Sequence, residues 1–132
     1  MAISLNKSFQ LHSQALSIRS QQAEVIASNI ANADTPGYKA KGIDFKQTLA
    51  QALQKQQMGM SRTNEKHFDV RTGQNNNVQF RVPDQPDTGD GNTVDVQVER
   101  NLYLENSLKY QATVQFLNGK INAYKKVISG GQ

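Results

Sequence analysis

The sequence predicts a mainly α protein. Two long terminal helices pack as a coiled-coil-like hairpin or tube element, around a short helix and a loop-rich middle with room for a small β element. Three observations carry this. Apolar residues recur in steps of four and three from about Ser4 to Ala33, as on one face of a helix. The same pattern returns from about Val94 to Ile128. Between them the chain is rich in Gln, Asn and Gly, and the helical period is lost for most of its length. The chain therefore divides into an N-terminal helix (1–33), a middle of turn, extended segment, short helix and loops (34–93), and a C-terminal helix (94–132), the two ends forming one assembly domain.

The first helix carries Leu5, Phe9, His12, Leu16, Arg19, Ala23, Ile26 and Ile30 along one stripe, with Leu11, Ala15, Ile18 and Val25 beside it. Leu5, Phe9, Leu16, Ile26 and Ile30 are its packing residues. Ser4 is placed to cap it, and no Pro or Gly interrupts it. At 1.5 Å per residue it is about 45 Å long, which suits packing along other helices. His12 and Arg19 are the polar members of the stripe and read as register-setting or solvent-facing residues. His12 has no company of metal-ligand type.

The stretch from Asn29 to Tyr38 ends this helix. Pro36 disfavours helical geometry at Thr35. Gly37 can take positive φ, and Asn32 and Asp34 can bond the backbone in turns. Tyr38 to Phe45 then reads as extended, with Tyr38, Ile43 and Phe45 as anchors. A second, shorter helix follows from about Asp44 to Gln57, with Phe45, Leu49, Ala52 and Leu53 on one edge. Beyond it, Val78 to Val82 alternates as a strand does, and the remainder of 58–93 reads as loop. His67 stands alone there.

Asp90-Gly91-Asn92-Thr93 reads as a turn followed by a cap, with Asn92 or Thr93 opening the last helix. Val96, Arg100, Tyr103, Ser107, Tyr110, Val114, Leu117, Ile121, Tyr124 and Ile128 follow a 4–3 series. Val98, Leu102, Ala112, Phe116, Ala123 and Val127 lie beside it, and Leu104 and Leu108 add a third edge. A helix apolar over so much of its circumference meets more than one neighbour. The packing set is Val98, Leu102, Leu108, Tyr110, Val114, Phe116, Leu117, Ile121, Tyr124 and Ile128, and the surplus reads as intermolecular surface. Lys120, Lys125 and Lys126 complement the helix dipole near its end.

Composition narrows the function classes. With 132 residues, 36% hydrophobic and no Trp, and a mean hydropathy of -0.66, the chain is lean for a self-sufficient core, so part of it orders against partners. The net charge of +4 is spread thinly along the chain, without the basic block interleaved with aromatics that nucleic-acid binding asks for. There is no Cys, hence no disulfide or thiolate metal site. No apolar run reaches the roughly 20 residues of a membrane span, and the N-terminus lacks the pattern of a cleaved secretory signal. No phosphate loop, nucleophile elbow or calcium-loop spacing is found. The expectation is a protein that is not an enzyme, with no catalytic, cofactor or metal residues and no small-molecule substrate. A soluble helical binding module, such as an export chaperone or adaptor, is the alternative that two amphipathic helices alone allow.

Ala27 to Tyr38, ASNIANADTPGY, resembles the signature of the bacterial flagellar basal body rod protein family, whose members carry it at the end of their N-terminal helix. Within it, Asn29, Ile30, Asn32, Thr35, Pro36, Gly37 and Tyr38 are the signature and turn residues. Asp90 to Asp95, and Glu105 to Tyr110 leading into Phe116 to Ile121, are similar to the C-terminal half of the short rod subunits. The opening Ile3 to Phe9 and the Asp90–Asp95 block favour the proximal rod. The resemblance covers both ends well and the middle poorly. It implies a structural subunit that builds the proximal rod and transmits torque across the periplasmic space. It implies synthesis in the cytoplasm and export by the flagellar type III apparatus without signal cleavage. The implied partners are copies of the chain, other rod subunits, the basal-body adaptor protein, the membrane ring and the export gate.

Overall fold

The computed structural model describes residues 5–57, 77–82 and 89–130. The sequence expectations at Ser4, at His67 and in most of the loop-rich middle lie outside them, as does the side chain of Leu5. The elements run α1 (Leu5–Ala31), β1 (Lys41–Ile43), α2 (Phe45–Gln57), β2 (Val78–Phe80) and α3 (Val96–Ile128). The fold is mainly helical, with long terminal helices packed together, a short helix and a two-stranded sheet.

Helices α1 and α3 form an antiparallel hairpin, held at three levels. Near the open end the Phe9 and Tyr124 rings meet edge to face, 5.4 Å between centroids. In the middle, Asn106 donates to the Arg19 carbonyl at 2.9 Å, and Arg19 Nη1 donates back to Asn106 Oδ1 at 3.3 Å. Near the turn, Asn29 donates to Glu99 at 3.2 Å. From Phe9 to Asn29 this seam spans about 30 Å at 1.5 Å per residue. Among the described residues the apolar core is small: Ala15, Ile18, Ile26 and Ala40 are buried, and so are the polar Asn29, Thr48, Asn92, Glu99 and Asn106.

Two sequence expectations about α3 are corrected. The helix begins at Val96 with Asp95 as its cap, whose carboxylate accepts from the Gln97 and Val98 amides. Asn92 and Thr93 do not cap it because both are committed elsewhere. Asn92 Nδ2 lies 2.7–3.0 Å from the carbonyls of Asn32, Ala33 and Thr35, covering acceptors that the end of α1 leaves without helical partners. Thr93 Oγ1 accepts from the Ala40 amide at 2.8 Å. The seam is also shifted. In the first half of α3 it runs through Glu99, Leu102 and Asn106 and leaves Arg100 and Tyr103 exposed, one position earlier than the apolar series. It rejoins that series at Val114, Leu117, Ile121 and Tyr124, which are half-buried, as expected where a 3.5-residue repeat runs on a 3.6-residue helix.

The turn behaves as its composition requires. Gly37 has φ of 73° and donates its amide to the Asp90 carbonyl at 2.9 Å. The Thr93 amide bonds the Tyr38 carbonyl at 3.0 Å, and Lys39 Nζ reaches the Gly91 carbonyl at 2.7 Å. The segment leaving α1 is thereby zipped to the segment entering α3. Asp44 caps α2 through the Gln47 amide.

A Cβ at Gly37 would meet nothing within 4 Å, so substitution there is opposed by backbone strain alone. Gly37→Val is expected to lower unfolding free energy by about 1–2 kcal/mol, and Gly37→Asn by less, because Asn tolerates the left-handed region. Urea unfolding followed by circular dichroism measures both. Equal losses for Val and Asn would show that conformation at this position is not the constraint.

Candidate functional site

The polar centre of the molecule is built on Asn29, which is fully buried. Its position is set by the last turns of α1, and every capacity of its amide is used. Oδ1 accepts from the Lys41 amide at 3.0 Å and the Tyr38 hydroxyl at 3.3 Å. Nδ2 donates to the Lys41 carbonyl at 2.8 Å and to Glu99 Oε2 at 3.2 Å. One side chain therefore ends α1, holds β1 and reaches α3. Asn32 acts locally: it donates to the Ser28 carbonyl at 2.8 Å and accepts from Thr35 Oγ1 at 3.2 Å.

Glu99 is 1% exposed. An isolated buried carboxylate is costly, and here each oxygen has a donor: Asn29 on Oε2 and Arg81 on Oε1. Arg81 follows β2 and is aligned by its own amide, which donates to the Ala40 carbonyl at 2.9 Å. Its aliphatic stem crosses β1 at Gly42, where an added Cβ would sit 3.1 Å from both Cγ and Cδ. Gly42 thus leaves the passage through which Arg81 reaches Glu99. The place of Glu99 in the first turn of α3 also favours negative charge.

A cleft of about 360 Å³ opens beside this centre between α1, β1, the start of α2 and α3. Arg19 lies on its wall with the guanidinium carbon 4.1 Å from the Phe45 ring centre, a cation–π arrangement. Burial lowers the Arg19 pKa, and nearby Glu105 opposes that. Glu105 is itself held below its ordinary value, first by its hydrogen bond and charge pairing with Lys109. Among the described residues no His, Cys or hydroxyl side chain lines the cleft.

The residues expected from the sequence fall into three groups. Asn29 is buried, and Ile30, Asn32 and Tyr38 are half-buried. Thr35, Pro36 and Gly37 are exposed at the tip of the hairpin. On α1, Phe9 and Leu16 are half-buried and Ile26 is buried. On α3, Leu102, Val114, Leu117, Ile121 and Tyr124 are half-buried, facing α1. Val98, Tyr110, Leu108, Phe116 and Ile128 are exposed, the last three by 67%, 67% and 79%. Sequence reasoning passed over Glu99, Asn106, Arg81 and the reach of Asn92. The available signal was two polar residues seven apart, Glu99 and Asn106, beside an otherwise apolar heptad row.

The model of the family described as flagella basal body rod protein matches residues 9–39, which is most of α1 with the turn and Asn29. Over 132 residues, all of both chains, the sequence is 53% identical to the flagellar basal body rod protein FlgB of Aeromonas hydrophila. The chain belongs to the FlgB family of flagellar basal body rod proteins. The FlgB of Escherichia coli (strain K12) is 38% identical, with 96% of each chain covered. That of Yersinia enterocolitica is 39% identical over 96% of this chain and 97% of the relative. The chain is a structural subunit of the flagellar basal body rod, and this family is not a class of enzymes.

The polar centre makes a direct prediction. Asn29→Asp keeps the shape, removes both amide donors and sets a carboxylate against Glu99 and the Lys41 carbonyl. It is expected to cost about 3–5 kcal/mol at neutral pH, as for an uncompensated buried charge. Tyr38→Phe, which removes two long hydrogen bonds, to Asn29 at 3.3 Å and to Ser28 at 3.4 Å, is expected to cost about 0.5–1.5 kcal/mol. Chemical denaturation of both variants tests the ranking, and a harmless Asn29→Asp would remove Asn29 from the centre of the network.

Proposed function

We propose that the chain builds the proximal part of the rod through its two terminal helices, repeating contacts with further copies and with other rod subunits. The observation that carries this is the outer face of α3. Leu104, Leu108, Phe116 and Val127 are all more than 60% exposed, although the helix is already packed against α1. Burying one such side chain contributes about 1.5–3 kcal/mol, so a face with several of them favours association. A contact that joins two different surfaces and does not close on itself generates a helical filament.

In this reading torque passes along the rod through interdigitated side chains. The subunit is made in the cytoplasm, leaves by the flagellar type III apparatus without signal cleavage, and assembles in the periplasmic space. The adaptor protein, membrane ring and export gate are its neighbours at the rod base. Among the described residues no helix is long and apolar enough to cross a membrane, and the apolar surface of α3 is interrupted by Glu105, Lys109, Lys120 and Lys125, a pattern suited to protein neighbours.

Leu108→Asp and Phe116→Asp test the proposal without disturbing the hairpin, since both side chains point away from it. Purified variants are expected to keep their helix content, while a strain lacking the wild-type gene and carrying either variant forms no rod and does not spread in soft agar. Asn118→Asp, an exposed polar position on the same helix, is expected to swim normally. Normal motility in the Leu108 and Phe116 variants would overturn the proposal.

A further inference from the structure

The two edges of the small sheet are treated differently. Strands β1 and β2 pair antiparallel, Lys41 opposite Phe80, Gly42 opposite Gln79 and Ile43 opposite Val78. Alternate residues of such a pair turn their backbone groups outward. On β1 the outward groups are closed by amide side chains of α1: Asn29 takes both the amide and the carbonyl of Lys41, and Gln22 donates to the Ile43 carbonyl at 2.9 Å. On β2 the outward groups belong to Val78 and Phe80, and to Val82 in the extension beyond it. Among the described residues nothing pairs with them. The side chains of these three residues are exposed by 39%, 72% and 88%. An edge strand carrying apolar side chains is a template for another strand, and proteins ordinarily blunt it with Lys, Pro or cover. Here the one charged residue, Arg81, is turned inward to Glu99.

We propose that this edge pairs with the same edge of a second copy of the chain. The occupant is indicated by symmetry in the sequence. Val78-Gln79-Phe80-Arg81-Val82 carries the same apolar residue two places on either side of Phe80. An antiparallel pairing centred on Phe80 sets Phe80 opposite Phe80 and Val78 opposite Val82 twice over. The residues whose backbone groups face outward are the same three, so each pair exchanges its hydrogen bonds. Gln79 and Arg81 fall on the other face, where Arg81 keeps its partner. The result is a four-stranded sheet across a two-fold axis. Such a contact closes on itself and cannot propagate, so it is distinct from the α3 surface and goes beyond the rod-building role.

The chain has no cysteine, so Phe80→Cys introduces a single reporter at the axis. A hydrogen-bonded antiparallel pair sets the two Cα atoms about 5.5 Å apart, within reach of a short bis-maleimide. In the full-length chain, Phe80→Cys is expected to crosslink into dimers about tenfold faster than Ala50→Cys, an exposed α2 control, when the edge is a pairing site. Adding Val82→Pro, which removes an outward amide that β1 does not use, is expected to bring that rate down to the control. Adding Phe116→Asp is expected to leave it unchanged. Equal rates for Phe80→Cys and Ala50→Cys, insensitivity to Val82→Pro, or loss on Phe116→Asp would each overturn the proposal, the last by assigning the contact to α3.

Discussion

The amide of Asn29 is the interaction on which the other parts of this fold depend. A helix that ends leaves backbone groups without partners, and a short strand with one neighbour leaves a whole edge without them. Asn29 meets the second need with both ends of one amide, on Lys41, and uses its remaining capacity on Tyr38 and Glu99. The exit from α1, the position of β1 and the start of α3 therefore share a single group. A shift of any one of them breaks bonds made by the other two. This is coupling in the physical sense, carried by one side chain with four bonds and no access to water.

Glu99 extends the same logic to the segment beyond α2. Strand β2 brings little apolar surface to the molecule, since Phe80 and Val82 face solvent. Among the described residues its attachments include the three-residue ladder with β1 and the ion pair from Arg81 to Glu99. A buried ion pair adds little net stability over an apolar pair of the same shape, yet removing one partner is strongly destabilising. The pair therefore contributes specificity: it determines where the segment lies more than how firmly the hairpin is folded. Gly42 is part of the device, because a Cβ there would crowd the Arg81 stem at 3.1 Å.

The sequence exposed some of this and hid the rest for identifiable reasons. The end of α1 was legible because Pro36 and Gly37 restrict the backbone locally, and a local restriction needs no partner to be recognised. Alternation over 78–82 made the strand legible, although it ends at Phe80, and the long helices were legible from their period. Asn92 was misread as a cap because a residue of that type before a helix bonds nearby amides in most settings; its partners at Asn32, Ala33 and Thr35 lie 57–60 residues away. Glu99 was passed over because a charged residue in a heptad series is ordinarily solvent-facing, and the cation that makes its burial tolerable arrives through sheet pairing that no period announces. The polar Asn106 misled in the same way, so the seam was drawn one position late.

These misreadings share a cause. Pattern reading assigns polar residues to the surface and apolar residues to the interior, and α3 inverts that assignment in its first half. Its fully covered residues are Glu99 and Asn106, while Leu104 and Leu108 are exposed. For a protein that folded for its own sake the arrangement would be wasteful, since the hydrophobic effect is the dominant favourable term in folding. It becomes consistent when the contacts within the chain and the contacts between chains are separated by type. Polar, directional bonds set the hairpin, because a hydrogen bond or ion pair is satisfied in one register and lost in the next. Non-directional apolar surface is kept outside, where area rather than angle sets the gain. The lean core follows from this division: the residues that would have filled it are on the outer face of the helix.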